Sequence, residues 1–400
     1  MATAGSEILY GRCCQRAGTL AIRINFGISG AIRRGTHPYI LKKANPHGPS
    51  RFMSSTALHA PSHRIHILGL GNLGRLFAHA LAKADKTTPI TLLLHRAGLL
   101  DEWEQVGQKI EVTTNGIPDQ TGSFDVELIS REGPQDIIDN LIVTTKATQT
   151  TSALSAIRHR LTSASMVLLT QNGMGTAEEL NEQVFKDPYT RPNYLAGITS
   201  HGVYSQGPFR SVHAGLADVA IGRVGRVGQS TAPQYLVDKI VQATALSAQE
   251  VSQPELLLLQ LQKLVVSAMI NPLTVIFNCR NGELFNRRPI IQVMRQLLRE
   301  ASQVIQSFPE IKSDPASMSR FSEQRLEGTV LDVAKKTEKN TSSMLQDVRA
   351  GRGTEIDYIN GYIVKRGKQA GIDCTNNEKL VHMVKEVRVI TENDVSEYFP

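Results

Sequence analysis

The chain of 400 residues is 41% apolar and 20% charged, which is typical of a globular protein with more than one hydrophobic core. Its net charge of +7 comes from the N-terminal end. Eight of the 44 Lys and Arg residues precede residue 62, but only one of the 37 Asp and Glu residues does. The rest of the chain therefore has 36 basic and 36 acidic residues. The neutral remainder argues against nucleic-acid binding, because no basic domain is left to contact phosphates.

Residues 1–61 form a basic leader. This segment is rich in Arg and has alternating apolar and basic residues in TLAIRINFGISGAIRR, a composition typical of a transit peptide. Arg23 and Arg33 interrupt the apolar run, so the segment lacks the uninterrupted core of a secretory signal. We therefore expect a mitochondrial matrix protein. A merely disordered tail on a cytoplasmic protein is the alternative.

Neither a membrane span nor a metal site is predicted. The nearest candidate for a span, Leu256–Phe277, is interrupted by Gln260, Gln262 and Lys263, whereas a spanning helix has about 18 or more uninterrupted apolar residues. Of the four cysteines, two lie in the leader and two stand alone, without the CxxC or Cys/His spacing of a zinc site. The thiols indicate a reducing compartment and no metal.

A dinucleotide-binding pattern opens the part of the chain that follows the leader. A short β-type run, Arg64–Leu68, passes directly into Gly69, Gly71 and Gly74 at GxGxxG spacing, and a helical pattern follows. The first glycine permits the tight turn, the second lets N–H groups reach a pyrophosphate, and the third allows close helix–strand packing. A glycine turn of no consequence is the alternative, but a second strand at Ile90–Leu94 favours dinucleotide binding.

The residues after this second strand, His95 and Arg96, distinguish the two nicotinamide cofactors. An Asp or Glu there would accept a hydrogen bond from the ribose 2′-hydroxyl of NAD, whereas a guanidinium binds the 2′-phosphate of NADP. We therefore predict NADP(H) with Arg96 on the 2′-phosphate. A solvated surface Arg is the alternative.

Two polar residues end further buried strands. The strand predicted at Asn140–Thr145 is followed directly by Lys146. The strand predicted at Met166–Thr170 is followed by a turn that contains Asn172. Ligands of an open parallel sheet bind beyond the carboxyl ends of its strands, so Lys146 and Asn172 are expected at the mouth of a site. A helix start or an Asn-Gly turn is the alternative for each. Further short strands are predicted within Tyr194–Val224.

From about Pro254 the pattern becomes helical, and one helix carries a row of polar side chains. Lys263, Ser267 and Asn271 fall at i, i+4 and i+8, so one face presents an ammonium, a hydroxyl and a carboxamide. Pro272 is expected to stop or bend this helix. An ordinary amphipathic helix with a snorkelling Lys is the alternative.

The remaining sequence predicts four amphipathic helices and a helix start that is rich in hydroxyl side chains. Ser342 and Ser343 stand where a helix starts, able to cap it or to hold a carboxylate, and Glu355 follows. The helices are expected at Pro289–Phe308, Arg320–Lys339, Thr354–Gly371 and Asn377–Val387. The fold prediction is an α/β Rossmann-type N-terminal domain and an all-α C-terminal domain after a disordered basic leader, with boundaries at 1–61, 62–250 and 251–400.

Four blocks of this sequence resemble the ketopantoate reductase (2-dehydropantoate 2-reductase) family, in the family's order and at its spacing. They are QNGMGT at Gln171–Thr176, KL with INPLT at Lys263–Thr274, NxxNGEL at Asn278–Leu284, and SSMLQD with TEIDYINGY between Ser342 and Tyr362. The resemblance runs from about Arg64 to Lys385. It implies NADPH-dependent reduction of ketopantoate to (R)-pantoate, on the route to pantothenate and coenzyme A.

The resemblance also implies a role for each matching residue. Lys263 is the proton donor for the oxygen of the substrate ketone. The predicted cofactor contacts are Gly69, Leu70, Gly71, Asn72, Leu73, Gly74, Arg96, Lys146, Asn172, Val203 and Glu355. The predicted substrate contacts are Asn172, Ser267, Asn271, Asn281 and Ser343.

Two positions depart from the family pattern. Ser267 stands where the family usually has Asn, and Leu261 stands where a Trp is frequent. The change at Ser267 motivates an alternative, a reductase of another branched 2-keto acid. A non-catalytic, organelle-resident relative is a further alternative. The retention of Lys263, Asn271, Ser343 and Glu355 together argues against it. The expected partner is a small 2-keto acid, and a homodimer is left open.

Overall fold

A computed structural model describes residues 62–130, 133–225 and 234–400, all within one compact unit that extends from His59 to Pro400. The predictions for the leader, residues 1–61, lie outside the described residues. The described chain begins with an α/β part and continues as helices, which confirms the predicted fold class for both. After Glu250 the described residues contain no strand.

Twelve strands are found in the described residues, and they form two sheets. An eight-stranded sheet has the order β12-β11-β8-β7-β6-β1-β2-β5, with parallel neighbours throughout except for the antiparallel pair β8 and β11. A four-stranded sheet has the order β4-β3-β10-β9. The strands are β1 (Ile65–Leu68), β2 (Ile90–Leu94), β3 (Ile110–Thr114), β4 (Ile117–Thr121), β5 (Asp125–Leu128), β6 (Asn140–Val143), β7 (Met166–Leu169), β8 (Asn193–Thr199), β9 (Gly202–Gly207), β10 (Arg210–Gly215), β11 (Val219–Val224) and β12 (Ala248–Glu250).

The central strands of the larger sheet can be predicted from the sequence because they are buried along their whole length. All residues of β1, β2, β6 and β7 are buried, as expected for parallel strands covered by helices on both faces. These four predicted strands are confirmed. The direction in which successive strands are added to the sheet reverses between β1 and β6. Strand β2 lies on one side of β1, and β6 lies on its other side. Such a switch point forms the crevice in which ligands of open α/β sheets bind.

Fifteen α-helices lie in the described residues. They are α1 (Asn72–Ala84), α2 (Ala97–Gln105), α3 (Ala147–Ala156), α4 (Thr176–Gln183), α5 (Tyr235–Gln242), α6 (Gln253–Ile276), α7 (Asn281–Leu284), α8 (Arg288–Gln306), α9 (Pro309–Lys312), α10 (Pro315–Arg320), α11 (Glu323–Lys336), α12 (Ser343–Arg349), α13 (Asn360–Ala370), α14 (Thr375–Lys385) and α15 (Val395–Tyr398). Helices α8, α11 and α14 confirm three of the four predicted amphipathic helices. The fourth, Thr354–Gly371, is wrong as a single helix, because a 3₁₀ turn at Ile356–Tyr358 precedes α13.

Helix α6 is the central element of the helical part. It begins after Ser252, whose hydroxyl accepts from the backbone N–H of Glu255, and it packs against β8, β11, α8, α11, α12 and α14. Pro272 lies inside the helix, which continues to Ile276, so of the two expected effects, a stop or a bend, the stop does not occur. By length and composition alone α6 would suffice to cross a membrane, but it packs within the helical core.

Apolar side chains form three buried clusters. One fills the helical part around α6, and the other two cover the opposite faces of the eight-stranded sheet. Helix α6 also contacts β8 and β11, so the helical core is built against one end of the sheet. The carboxyl ends of β6 and β7 therefore open toward the helices that follow α6, and this arrangement positions the site described below.

Candidate active site

The glycine-rich turn after β1 has the geometry of a dinucleotide cradle. Gly69 has φ +96°, and a Cβ there would meet the backbone of Thr145 at 2.7 Å. A Cβ on Gly74 would collide with the carbonyl oxygen of Gly69, whereas a Cβ on Gly71 would meet nothing within 4 Å. The first glycine thus packs the turn against the chain that follows β6, the third brings α1 close to this turn, and the second leaves open space at the start of α1. These residues fit a pyrophosphate at a helix N-terminus.

The residues between these glycines and their surroundings complete the cradle. Leu70 is buried, and its carbonyl oxygen accepts from Nε of Arg75 at 2.9 Å. Asn72 opens α1 and accepts from the hydroxyl of Ser211, while Leu73 packs against the sheet core. The turn is therefore held by hydrogen bonds from Arg75 and Ser211 and by the apolar packing of Leu73.

Arg96 lies at the end of β2, as its position in the sequence predicts. It is the residue before α2, its side chain is 53% exposed, and its Nη2 donates to Glu102 Oε1 at 3.0 Å. An anion that reaches Arg96 must therefore compete with a carboxylate of the same helix.

Lys146 joins the sheet to the helical part. Its Nζ donates to Asp347 Oδ2 at 2.7 Å, across 201 positions of sequence. Asp347 is 3% exposed, and its other oxygen accepts from Nε of Arg352 at 3.0 Å. The carboxyl end of β6 is thus fixed to the C-terminal half of α12.

Glu355 makes a second connection of the same kind. Its side chain is buried, with one oxygen accepting from the backbone N–H of Ala147 and the other from Nδ2 of Asn172, both at 3.0 Å. Next to Asn172, Gly173 has φ +84° and leaves no room for a Cβ against Tyr358. The two predicted cofactor contacts, Asn172 and Glu355, are therefore in direct contact where the strand ends meet the helices.

Lys263 lies on the face of α6 that is turned toward the sheet. Its Nζ donates to the carbonyl oxygen of Thr199, the last residue of β8, at 2.7 Å. Burial lowers the pKa of Lys263 to about 8, and the negative charge of Glu355 partly opposes this shift. The ammonium is thus close enough to neutrality to release a proton near physiological pH, as a general acid must.

Ser267 and Asn271 follow Lys263 on the same side of α6, and all three are half-buried. The predicted helical row is therefore confirmed. At the start of α12, Ser342 is the capping residue, since its hydroxyl accepts from the backbone N–H of Leu345 at 3.1 Å. Ser343 is exposed in the first turn of α12 and so has its side chain free for a ligand.

Two further predicted contacts have neighbours of their own. Asn281 is in α7, where its Nδ2 donates to Thr337 Oγ1 at 2.9 Å and its Oδ1 is buried without a partner. Val203 lies on β9 of the smaller sheet and packs against the core of the α/β part. Neither is joined to Lys263 or Glu355 by a hydrogen bond described in the structure.

The roles of three residues of the site could not be predicted from the sequence. Asp347 belongs to the SSMLQD block but has no local signal that marks it as the partner of Lys146. The role of Thr199 depends on its backbone carbonyl, which any residue type supplies. Gln171 donates from Nε2 to the carbonyl oxygens of Val143 and Thr145, which ties the ends of β6 and β7 together. No group of three His, Cys, Asp or Glu residues in the described ranges is arranged to hold a metal ion.

Comparison with known proteins agrees with this geometry. The family model described as ketopantoate reductase PanE/ApbA matches residues 65–226, and its C-terminal counterpart matches residues 255–388. The chain belongs to the ketopantoate reductase family. Membership makes it an oxidoreductase that acts on a CH–OH group with a nicotinamide cofactor. The two matched regions contain every predicted site residue from Gly69 to Glu355.

Relatives of known name share both regions. A probable 2-dehydropantoate 2-reductase from Schizosaccharomyces pombe is 30% identical over 80% of this chain and 95% of its own length. The ketoisovalerate reductase BEA2 of Gibberella fujikuroi is 33% identical over 75% of this chain and 77% of its own length. The family thus includes similar proteins named for two different branched keto acids.

Solved structures share the fold. A ternary structure of D-mandelate dehydrogenase with NADH and anilino(oxo)acetate has a TM-score of 0.67 at 22% identity and covers 83% of this chain and 99% of its own. A ketopantoate reductase from Staphylococcus aureus, described as dimeric, has a TM-score of 0.60 at 16% identity and covers 81% of this chain and 98% of its own. At these identities the likeness supports the fold alone.

Proposed function

We propose that this protein is an NADPH-dependent 2-dehydropantoate 2-reductase, which reduces ketopantoate to (R)-pantoate in the biosynthesis of pantothenate and coenzyme A. The observation that carries the proposal is the environment of Lys263. Its ammonium donates a hydrogen bond to the backbone carbonyl of Thr199 at the end of β8, and burial lowers its pKa to about 8. A lowered pKa of this kind suits a lysine that acts as a general acid near neutral pH.

The residues around Lys263 suit the reduction of a 2-keto acid. A reduced nicotinamide, when bound, supplies the hydride that the ketone carbon accepts. The Lys263 ammonium stabilises the negative charge that develops on the ketone oxygen and then donates a proton to it. Asn271 and Ser343 are free to hold the carboxylate and hydroxyl groups of the substrate. Glu355 keeps Asn172 and the end of β6 in place.

The preference for NADPH is supported by the residues at the end of β2. Arg96 stands there without a carboxylate at the position that would bind a ribose 2′-hydroxyl. Its guanidinium is half exposed and therefore accessible to a 2′-phosphate, which would replace Glu102 as its partner.

A second candidate function is the reduction of another branched 2-keto acid. It is favoured by Ser267, which stands where the family usually has Asn, and by the similarity to a protein named ketoisovalerate reductase. Ketoisovalerate lacks the distal hydroxyl of ketopantoate and so needs one polar partner fewer. The two functions use the same Lys263 chemistry and differ in the pocket beside it.

The test is NADPH oxidation by the purified protein against a panel of 2-keto acids. We expect the highest kcat/KM with ketopantoate, lower values with ketoisovalerate, and loss of both activities in Lys263→Ala. A higher kcat/KM with ketoisovalerate would favour the second candidate. Absence of NADPH oxidation with every branched 2-keto acid would contradict both.

We further propose a mitochondrial location and a homodimer. The location is supported by the Arg-rich, acid-poor composition of residues 1–61, which favours import into a compartment with a negative-inside potential. The dimer is supported by the S. aureus relative described as dimeric. A fluorescent reporter fused to residues 1–53 should enter mitochondria, and a cytosolic reporter would contradict the first proposal. Light scattering of the purified protein measures the second.

A further inference from the structure

A buried arginine contacts the backbone of the glycine-rich turn. Arg75 follows the third glycine directly, lies in the first half of α1 and is 9% exposed. Its Nε donates to the carbonyl oxygen of Leu70, between the first two glycines, at 2.9 Å. The guanidinium therefore holds the backbone of the predicted cofactor cradle at one defined atom.

The same guanidinium is anchored in the smaller sheet. Its Nη1 donates to the carbonyl oxygens of Gly207 at 2.9 Å and Arg210 at 3.2 Å, on either side of the turn between β9 and β10. The buried ring of Phe209, in that turn, lies 5.5 Å from Cζ of Arg75. Because a guanidinium is planar and its N–H directions are fixed, anchoring Nη1 also fixes the direction in which Nε donates.

The hydrogen bond to Leu70 sets the direction of a neighbouring N–H. The carbonyl of Leu70 and the N–H of Gly71 belong to one trans peptide, so they point in opposite directions. With the oxygen held toward Arg75, the N–H of Gly71 points away from it. Gly71 is exposed, and its N–H has no hydrogen-bond acceptor among the residues that the structure describes. It is a fixed donor available to an anion at the start of α1.

The smaller sheet contacts the cradle a second time through β10. The hydroxyl of Ser211 donates to Oδ1 of Asn72, the first residue of α1, at 3.2 Å. Both contacts lie on the side of the turn that faces the sheet. Since Arg75 is buried and its Nε and Nη1 are bonded to carbonyls, its effect on a cofactor passes through the peptide that it holds.

We propose that Arg75 is a positioning residue for the cofactor, which holds the Leu70 carbonyl and thereby directs the N–H of Gly71 at the pyrophosphate. The inference rests on the proposed function, because it concerns the nicotinamide cofactor of the same site. It gives the smaller sheet a role in cofactor binding. NADPH and NADH share the pyrophosphate, so this role is independent of the choice between them at Arg96.

The experiment measures dissociation constants in the full-length protein. NADPH and NADH are titrated by fluorescence, and adenosine 2′-monophosphate, which has the 2′-phosphate but no pyrophosphate, is titrated by displacement of NADPH. Arg75→Met keeps the length of the stem but puts a methyl group where Nε donates. It should raise the Kd of both dinucleotides about 10-fold and leave their ratio unchanged. The Kd of the monophosphate should change by less than about 3-fold.

Steady-state kinetics distinguish positioning from a general loss of structure. In Arg75→Met the KM for NADPH should rise with its Kd. At saturating NADPH, kcat and the KM for ketopantoate should each change by less than about 3-fold, because Lys263 and the substrate contacts are untouched. A loosened protein would instead lose kcat and bind all of its ligands more weakly.

The matched control is Arg160→Met, the same substitution at another buried arginine of the α/β part. Arg160 is 3% exposed, donates from Nε to the carbonyl oxygen of Asp136 at 2.8 Å and pairs with Glu127. It precedes β7, whereas the cradle lies at the carboxyl end of β1. The control should lower the melting temperature and leave all three dissociation constants unchanged.

Thermal unfolding measures whether each variant is folded. If Arg75→Met does not fold, Arg75→Lys serves instead, because lysine keeps the positive charge but has a methylene where arginine has Nε. It should raise the Kd of both dinucleotides at least about 3-fold. A normal Kd in Arg75→Lys would mean that the charge and not the hydrogen bond to Leu70 matters, which would overturn the proposal.

The outcomes separate this inference from the proposed function. A protein that binds NADPH but reduces no branched 2-keto acid would overturn the proposed function and leave the test of Arg75 intact, since that test measures binding. Unchanged Kd values for the dinucleotides in a folded Arg75→Met would overturn the role of Arg75 alone. So would an equal weakening of the monophosphate, because the effect would then not be specific to the pyrophosphate.

Discussion

The side-chain amide of Asn360 donates a hydrogen bond of 3.0 Å to the carbonyl oxygen of Ala268, in the middle of α6. In an uninterrupted helix this carbonyl would accept from the backbone N–H of residue 272, which is a proline and has none. Asn360 is completely buried, and its Nδ2 also reaches Oδ1 of Asn377. The helix that carries Lys263 continues past Pro272, and α13 supplies a donor to the carbonyl that the proline leaves without one.

This relationship is testable with a double-mutant cycle. Asn360→Leu should lower the free energy of unfolding by about 1–3 kcal/mol, since it leaves the Ala268 carbonyl buried without a donor. In a Pro272→Ala background the backbone N–H returns, so the same substitution should cost less. Urea unfolding of the four proteins measures both values. Equal costs in the two backgrounds would mean that Asn360 does not substitute for the missing N–H.

The same contact shows why the sequence predicted α6 only in part. The spacing of Lys263, Ser267 and Asn271 is local, and it placed them correctly on one helix face. The donor that compensates for Pro272 comes from Asn360, 88 positions later. Neither the composition nor the periodicity near Pro272 contains that information.

The site was predictable to a similar extent. Gly69, Gly71 and Gly74 were recognisable because their roles depend on the turn that they form themselves. The ion pair of Lys146 with Asp347 spans 201 positions and the contact of Asn172 with Glu355 spans 183, so both depend on how the two halves of the chain pack. The resemblance to a family indicated some of these residues but not their pairing.

The pKa of Lys263 predicts the pH dependence of the reaction. Because burial lowers this pKa to about 8, reduction should slow as the pH rises through 8, well below the pH at which an ordinary lysine loses its proton. The charge of Glu355 raises the pKa, so Glu355→Gln should move the decline to lower pH. Profiles of kcat against pH for both proteins measure the shift, and a decline that moved to higher pH would contradict the assignment.

Removing the ammonium itself should separate chemistry from binding. Lys263→Ala is expected to lower kcat by roughly 10² or more, because the stabilisation that it removes exists mainly in the transition state. The dissociation constant of NADPH, measured by fluorescence, should change little. Normal turnover of ketopantoate by this variant would exclude Lys263 as the proton donor.

The pair formed by Arg96 and Glu102 predicts how cofactor preference can be changed. Arg96→Asp should erode the preference for NADPH over NADH, since it replaces the guanidinium that a 2′-phosphate binds. Glu102→Gln should have the opposite effect, because it removes the carboxylate that competes for Arg96 at 3.0 Å. Its KM for NADPH should fall several-fold while its KM for NADH stays the same. Equal use of both cofactors by the unmodified protein would contradict the role given to Arg96.

The last prediction concerns Ser267, which lies one helical turn from both Lys263 and Asn271 and is half-buried like them. A serine hydroxyl ends about one heavy-atom bond short of the place where an asparagine amide would deliver its N–H. A substrate oxygen without that donor in a closed site loses roughly 1–3 kcal/mol unless a water bridges the gap. Ser267→Asn should therefore lower the KM for ketopantoate at least several-fold, with little change in the KM for NADPH. Steady-state kinetics with ketopantoate and ketoisovalerate measure the effect. Weaker binding of ketopantoate, together with poorer reduction of ketoisovalerate than in the unmodified protein, would mean that Ser267 is adapted to a smaller keto acid.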